Sequence, residues 1–227
     1  MQLNFKKYAV IVAGGSGSRM NTETPKQFIR LKDKVILMHT IDKFKQADSN
    51  TEIILVLPEN HIETWNKLVK EYLFNVPHKI YKGGASRFQS VKNGLEGVSD
   101  KSLVAVHDGV RPFVLEETIN LSYEVAAKKG NAIVSVPLKD SIRKVTPDFN
   151  KAENRSEFRL IQTPQTFQSD LIKKAYFVKE QDFFTDDASV LEFAGHKINL
   201  IDGSYQNIKI TTPEDLIFAN SILNSNP

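Results

Sequence analysis

Short apolar runs alternate with amphipathic stretches over most of the 227-residue chain. Continuous apolar runs are typical of strands that are buried on both faces of a parallel sheet. They predict strands at Tyr8–Val12, Glu52–Leu57, Lys79–Tyr81, Leu103–His107 and Ala132–Val136. Between them, apolar residues recur at helical spacing, as in two sets: Ile62, Trp65, Val69 and Tyr72, then Phe88, Val91 and Leu95. This alternation predicts an α/β fold with a doubly wound, mostly parallel sheet, which binds ligands at the carboxyl ends of its strands.

The last third of the chain predicts further, shorter elements. A helix begins at Thr185-Asp186-Asp187 and ends at Gly195. Two short strands follow, at Lys197–Ile201 and Gln206–Ile210. A terminal helix begins at Thr212-Pro213, with Thr212 as its cap, and docks on the core through Leu216, Ala219 and Leu223.

The segment 141–159 does not fit the layered pattern, because it is highly polar and the sequence Pro147-Asp148-Phe149-Asn150 predicts a turn in its middle. It is either a two-stranded excursion from the body or a solvated loop. We expect residues 1–227 to form a single domain from which this segment projects.

Composition narrows the function classes. The net charge of +3 is too small to indicate a nucleic-acid partner, but it suits an enzyme that handles phosphates. The chain has no cysteine, which excludes disulfides, thiolate metal sites and cysteine nucleophiles, and its five histidines lack metal-ligand spacing. No stretch approaches the roughly 18 apolar residues of a membrane helix, so we expect no membrane partner and a cytoplasmic location.

A glycine-rich loop directly follows the first predicted strand. It reads Ala13-Gly14-Gly15-Ser16-Gly17-Ser18-Arg19-Met20, and Pro25-Lys26 comes shortly after it. Glycines let the backbone approach phosphate oxygens closely and offer them N–H groups. The loop matches neither a Walker motif, which needs Gly-Lys-Ser/Thr, nor the dinucleotide pattern, whose third glycine is replaced by Met20. A purely structural turn is the alternative, but Arg19 and Lys26 favour a bound nucleotide triphosphate.

Four other residues invite an interpretation from the sequence alone. Asp108 ends a predicted buried strand, where ligands collect, so a functional role is favoured. His107, one residue earlier, is more typical of a hydrogen-bonded structural histidine. Lys209 lies in an apolar stretch and needs an anionic partner, which a phosphate would supply. Arg87 opens a predicted helix and, taken alone, is typical of a surface charge.

Six motifs, in the same order along the chain, resemble those of one enzyme family. They are Ala13-Gly14-Gly15-x-Gly17-x-Arg19-Met20 with Pro25-Lys26-Gln27, Gly83-Gly84-x-x-Arg87-x-x-Ser90-Val91, His107-Asp108-Gly109-Val110-Arg111-Pro112, Thr163-Pro164-Gln165, Thr185-Asp186-Asp187-Ala188-Ser189, and Asn207-Ile208-Lys209-Ile210-Thr211-x-Pro213-Glu214-Asp215. The family is that of the 2-C-methyl-D-erythritol 4-phosphate cytidylyltransferases, whose close relatives, the ribitol-5-phosphate cytidylyltransferases, share the first motif. The resemblance covers essentially the whole chain.

The resemblance implies a nucleotide-diphospho-sugar-transferase-like fold, CTP and a sugar-alcohol phosphate as substrates, Mg²⁺ as cofactor, and a homodimer clasped by the arm 141–159. By resemblance, Arg19 and Lys26 are the catalytic cations, and Asp108 faces the ribose and helps to hold Mg²⁺. The implied nucleotide-binding residues are Ala13, Gly14, Gly15, Gly17, Gly84, Arg87, Ser90 and Asp108. The implied sugar-phosphate-binding residues are Arg111, Ser141, Thr163, Thr185, Lys209 and, reaching across from the other subunit's arm, Arg155.

Two alternatives stay open at this point. Gly109-Val110 stands where two alanines are common in the erythritol-phosphate enzymes, Ser141 replaces a frequent threonine, and Ala85 replaces a polar residue. Because the Asp-x-Val-Arg-Pro form also occurs in ribitol-phosphate enzymes, ribitol 5-phosphate is the alternative substrate, although the arm entry Lys139–Arg143 and Arg155 favour 2-C-methyl-D-erythritol 4-phosphate. A catalytically silent nucleotide-binding module is the alternative from another class; the retained cations and Asp108 argue against it.

Overall fold

The computed structural model describes residues 5–15 and 24–225. Its strands are β1 Lys7–Val12, β2 Arg30–Leu31, β3 Lys34–Val35, β4 Glu52–Leu57, β5 His78–Lys82, β6 Leu103–Asp108, β7 Asn131–Pro137, β8 Ile142–Val145, β9 Asn150–Glu153, β10 Arg159–Gln168 and β11 Leu200–Asp202. Its α-helices are α1 Ile36–Ala47, α2 Glu59–Glu71, α3 Arg87–Leu95, α4 Glu116–Lys129, α5 Ser169–Ala175, α6 Asp187–Phe193 and α7 Pro213–Ser225. Single 3₁₀ turns lie at Lys26–Phe28 and Arg155–Glu157.

Within the described residues, seven strands form one sheet in the order β11-β7-β10-β6-β1-β4-β5. Neighbouring strands are parallel except at β10, which runs antiparallel to both β6 and β7. The mostly parallel α/β sheet predicted from the sequence is therefore confirmed. The carboxyl ends of β1 and β6 lie side by side, with Val12 opposite Asp108.

Side chains of the central strands alternate between two hydrophobic cores. In β1, Ala9 and Ile11 face the core that contains buried residues of α1, α2 and α4, whereas Tyr8 and Val10 face the core under α3, α5 and α6. The side chains from Tyr8 to Val12 thus alternate between the two faces and are hydrophobic on both, as expected for a sheet that is covered by helices on both sides. A third cluster, which includes Ala219 of α7, packs beside the loop after β6.

The strands β8 and β9 pair antiparallel, from Ile142 opposite Glu153 to Val145 opposite Asn150, and form a sheet of their own. This confirms the two-stranded interpretation of the polar segment over the solvated loop. Most side chains of the two strands are exposed.

After residue 158, one predicted strand does not form, one observed strand was not predicted, and one predicted strand is displaced. No strand forms at Gln206–Ile210: Asn207 N–H donates to the Ser204 carbonyl and Ile210 N–H to that of Val110, so this backbone forms a turn and a loop contact, not a ladder. The strand β10 was not predicted, because polar residues and Pro164 interrupt its apolar pattern; its pairing with β7 shifts register between Ile161 and Gln165. The strand predicted at Lys197–Ile201 is shorter and later, at β11.

In the described part of the chain, no helix combines the length and the apolar character needed to cross a membrane.

Candidate functional site

A two-lobed cavity lies at the carboxyl ends of β1 and β6. One lobe, of about 240 Å³, is lined by Val12, Ala13, Gly14, Gly15, Lys26, Gln27, Gly84, Ala85, Ser86, Arg87, Ser90, Asp108, Val110 and Lys209. The other, of about 190 Å³, is lined by Arg87, Asp108, Arg111, Ile161, Gln162, Thr163, Gln165, Thr185, Asp186 and Lys209. The lobes share Arg87, Asp108 and Lys209, so these three side chains stand where two ligands would meet.

The glycine-bearing loop and Lys26 form one wall of the first lobe. Gln27 links them, since its Nε2 donates to the Ala13 carbonyl at 2.9 Å while the neighbouring Lys26 enters the cavity wall. A Cβ on Gly15 would lie 3.1 Å from Lys26 Cε and 3.4 Å from its Nζ. The Lys26 side chain therefore lies across Gly15. A larger residue at position 15 would place its Cβ closer to Lys26 Cε than ordinary contact distance, unless the lysine moved.

The opposite wall is the turn between β5 and α3. Gly84 N–H donates to Ser90 Oγ at 3.1 Å, and that hydroxyl donates to the Ser86 carbonyl at 2.8 Å. A Cβ on Gly84 would lie 2.3 Å from Gln89 Cβ, so no larger residue fits without moving the helix. This turn therefore places backbone beside a fixed hydroxyl at the cavity wall.

Asp108 is the electrostatic centre of the cavity. Its carboxylate lies 3.0 Å from Lys209 Nζ, 3.2 Å from Arg111 Nε and 3.8 Å from Arg87 Nε. Burial alone would raise the pKa of this carboxyl, but the charges of Arg87, Lys209 and Arg111 outweigh burial and hold the pKa far below its ordinary range. Asp108 is therefore ionised, and a single carboxylate organises three cations.

Arg87 is not a surface charge. Its Nη1 and Nη2 donate to the two carboxylate oxygens of Asp187, at 3.0 and 2.7 Å, and Asp187 is fully buried at the start of α6. The pair joins α3 to α6 across 100 residues of sequence, so the sequence pattern near Arg87 carried no sign of it.

His107 is a structural residue, as its position predicted. Its Nε2 lies 3.1 Å from the Arg111 carbonyl, which can only accept, so Nε2 carries the proton. Its Nδ1 then accepts from the Thr163 hydroxyl at 3.0 Å, and that hydroxyl accepts from Asp108 N–H at 3.1 Å. Burial lowers the pKa of His107 to about 4, so the ring stays neutral at physiological pH.

Arg111 and Lys209 are placed by the loop that was wrongly predicted as a strand. Arg111 Nη1 donates to the Asn207 carbonyl at 2.7 Å. The buried Asn207 side chain in turn donates to the Thr163 carbonyl at 2.8 Å. These bonds hold the loop against β10, and Lys209 reaches Asp108 from it.

The structure brings together most of the predicted site residues. Those that line the cavity are Ala13, Gly14, Gly15, Lys26, Gly84, Arg87, Ser90, Asp108, Arg111, Thr163, Thr185 and Lys209. Gly17 and Arg19 lie outside the described residues. Ser141 and Arg155 do not line the cavity within one chain: both are exposed, and Arg155 Nη1 donates to the Lys139 carbonyl.

Sequence reasoning assigned no role to three residues that hold the site together: Gln27, Gln165 and Asp187. Gln27 fixes the Ala13 carbonyl, and its position directly after Lys26 was an available signal. Gln165 accepts from Ala188 N–H at 2.8 Å and donates to Asp186 at 2.9 Å, which ties α6 to β10. Asp187 anchors Arg87, and only the fold reveals that contact.

Among the described residues, no three or more His, Cys, Asp or Glu side chains cluster as a metal site would require. Asp108 is the carboxylate shared by both lobes. Mg²⁺ commonly binds through one or two protein carboxylates together with substrate phosphates. The donor set therefore fits a magnesium ion brought in with a nucleotide, held by Asp108.

Comparisons with known proteins agree with this geometry. Residues 8–225 match the model of the 2-C-methyl-D-erythritol 4-phosphate cytidylyltransferase family. A protein of that name from Azobacteroides pseudotrichonymphae is 48% identical over 221 residues, covering 96% of this chain and 99% of the relative. Another, from Bacteroides thetaiotaomicron, is 44% identical over 96% of this chain and 100% of its own. A crystal structure of 4-diphosphocytidyl-2C-methyl-D-erythritol synthase from Anaerococcus prevotii superposes with a TM-score of 0.83 at 31% identity, covering 97% of this chain and 96% of that one.

Proposed function

Because the chain belongs to the 2-C-methyl-D-erythritol 4-phosphate cytidylyltransferase family, we propose that it transfers CMP from CTP to 2-C-methyl-D-erythritol 4-phosphate. The products are 4-diphosphocytidyl-2-C-methyl-D-erythritol and pyrophosphate, in non-mevalonate isoprenoid synthesis. One observation carries the proposal: Arg87, Arg111 and Lys209 surround Asp108 at the junction of two cavity lobes, and Lys26 faces one of them.

The reaction needs no side-chain nucleophile. A phosphate oxygen of the alcohol phosphate forms a bond to the α-phosphorus of CTP, and the bond from that phosphorus to the bridging oxygen breaks, so that pyrophosphate leaves. The protein must bring two anions together and offset the charge that builds on the phosphoryl oxygens. Fixed cations do this better than water, because they need no reorganisation during the reaction.

We assign the first lobe to the nucleotide. The backbone at Ala13–Gly15 and the Gly84–Ser90 turn would hold the cytidine, and Lys26 would face the phosphates together with Arg19, which stays a prediction from the sequence. Lys26 is 9% exposed, so its charge acts in a site largely closed to water, where it is worth more than at a surface.

We assign the second lobe to the alcohol phosphate. Arg111, Thr185 and Lys209 line it beside Asp108, and Thr163 supports it through Asp108 and His107. A phosphate bound there would compete with Asp108 for Lys209 and Arg111. Mg²⁺, held by Asp108, would supply further positive charge at the reacting phosphates.

The arm 141–159 is proposed to form a homodimer. Val145 and Phe149 on the arm are 73% and 53% exposed, an apolar surface that a second copy would cover. Ser141 and Arg155 belong to the proposed acceptor site, Arg155 reaching it from the partner subunit. Organisation as one domain and a cytoplasmic location stay predictions.

A substrate panel tests the proposal. Purified protein with CTP and Mg²⁺ is given 2-C-methyl-D-erythritol 4-phosphate or ribitol 5-phosphate, and pyrophosphate release is measured; UTP and ATP replace CTP in parallel. We expect CTP and the erythritol phosphate to give the highest kcat/KM. Preference for ribitol 5-phosphate would overturn the substrate, and CTP binding without turnover of either acceptor would indicate a silent module.

A further inference from the structure

Asp187 binds both terminal nitrogens of the Arg87 guanidinium. Its two carboxylate oxygens accept from Nη1 at 3.0 Å and from Nη2 at 2.7 Å, a bidentate geometry. Asp187 is fully buried and lines neither lobe of the cavity, so it cannot touch a substrate there. Whatever it contributes to the reaction must pass through Arg87.

Tyr176 holds Asp187 from the other side. Its hydroxyl donates to Asp187 Oδ1 at 2.6 Å, and its ring stacks on Phe88, the neighbour of Arg87, with centroids 4.6 Å apart. Burial and the charge of Asp187 raise the pKa of Tyr176 well above its ordinary value, so the hydroxyl keeps its proton and remains a donor. Tyr176, Asp187 and Arg87 form one buried chain of bonds, named here the anchor.

The anchor determines which atoms of the Arg87 guanidinium face the cavity. With its fork on Asp187, the Nε edge faces Asp108 Oδ1 at 3.8 Å, beyond hydrogen-bond distance. Without Asp187, the Arg87 side chain could rotate until Nη1 and Nη2 donate to Asp108, the other carboxylate among the described residues that lies within 4 Å of the guanidinium. It would then neutralise the group that Lys209 and Arg111 share.

We propose that Asp187, held by Tyr176, is a positioning residue that fixes Arg87 as a preorganised cation at the junction of the two lobes. This rests on the proposed function, in which Arg87 contacts the nucleotide. An arginine side chain loses rotamer entropy when a ligand orders it, and holding it in place beforehand spares the ligand that cost. The alternative interpretation is that Asp187 has a purely structural role and only joins α3 to α6.

A mutant cycle on CTP affinity separates the two interpretations. Asp187→Asn keeps the shape but removes the charge, and calorimetric titration should show Kd for CTP rising on the order of 10-fold, as is usual for residues that orient a binding group. Arg87→Ala should weaken CTP at least as much. Arg87→Ala/Asp187→Asn should be no weaker than Arg87→Ala alone, because the effect of Asp187 passes through Arg87.

Controls exclude a general loss of structure. Asp48→Asn breaks an ion pair with Lys7 at the far end of the sheet, and Tyr8→Phe removes a buried-ring hydroxyl that bonds Ser99, so both should leave Kd unchanged. Tyr176→Phe retains the stacked ring and should shift Kd in the same direction as Asp187→Asn but less. If Asp187→Asn does not fold, Tyr176→Phe replaces it in the same cycle.

The positioning role is refuted if Asp187→Asn leaves Kd for CTP unchanged. It is also refuted if the fold-increase in Kd of the double variant equals the product of the fold-increases of the two single variants. The titration measures CTP binding alone and requires no alcohol phosphate. A wild-type protein that binds CTP but turns over neither alcohol phosphate would overturn the proposed function, and the cycle would still decide the role of Asp187.

Discussion

Individual side chains in this cavity act through charge and through the residues that hold that charge in place. Asp108 is ionised because three cations surround it, and His107 beneath it is neutral because it is buried. The sequence predicted a functional role for Asp108 and a structural role for His107, because both residues end a buried strand. It did not predict the partners, since Asp187, Asn207 and Gln165 meet the site only through contacts between distant segments.

Replacing Lys26 tests the role of a fixed charge. Lys26→Ala should lower kcat on the order of 10²–10³-fold while CTP still binds, because the charge acts mostly in the transition state. Lys34→Ala is a matched control, since Lys34 pairs with Asp42 at 2.6 Å and lines neither lobe. Steady-state kinetics and CTP titration measure the split, and a change confined to KM would contradict the assignment.

The buried His107 predicts a pH dependence of stability. Its pKa is about 4 in the folded protein against an ordinary 6.5, so the unfolded chain takes up the proton first as pH falls. The free energy of unfolding should therefore decrease from about pH 6.5 to about pH 4 through this group, and not further below. Urea unfolding at several pH values measures it. His107→Gln keeps a donor near the Arg111 carbonyl but cannot titrate, and a slope as steep as wild type would refute this origin.

At the scale of elements, the pattern of apolar positions predicted β4 at its observed bounds and β1, β5, β6 and β7 to within one residue at each end. Except for the edge strand β5, these strands are buried on both faces, so their sequences carry little besides apolar residues. The pattern failed where backbone groups bond outside a regular ladder. Gln206–Ile210 looks like a strand but supplies Lys209 from a loop, and β10 is interrupted by Pro164.

The packing of α3 on the sheet predicts one sensitive glycine. A Cβ on Gly94 would lie 2.7 Å from both Val10 Cγ1 and Val56 Cγ2. Gly94→Ala should therefore destabilise the protein by about 1–3 kcal/mol through overpacking, although alanine favours helices. Lys92→Ala, exposed on the same helix, should stay within about 0.5 kcal/mol of wild type. Denaturant unfolding compares them, and a stabilised Gly94→Ala would show that α3 can shift at little cost.

At the scale of the whole molecule, one chain lines both the lobe that we propose for the nucleotide and the lobe that we propose for the alcohol phosphate. Ser141 and Arg155 lie on the arm, away from the cavity of their own chain. The residue pattern alone could not say which chain's cavity an arm residue serves, because that depends on a partner surface; only the family resemblance implied that Arg155 serves the other subunit. The proposed crossed arm gives each site residues from two subunits.

Mixing two variants with different defects tests the crossed arm. Lys26→Ala should lose turnover, and Arg155→Ala should mainly raise KM for the alcohol phosphate. In a mixed dimer, one site would receive both an intact Lys26 and an intact Arg155, so activity at low acceptor concentration should exceed that of either variant alone. Mixing after partial unfolding and refolding ensures exchange, and activity no higher than the sum of the two variants would place Arg155 outside the partner's site.

The central claim is that cations from distant parts of the chain converge on one reacting phosphorus. A crystal structure with CTP and Mg²⁺ tests it most directly. We predict the cytosine against Gly84–Ser90, the triphosphate over Ala13–Gly15, and the side chains of Lys26 and Arg19 in contact with phosphate oxygens. A triphosphate bound outside this cavity, or with both side chains directed away from it, would contradict the account.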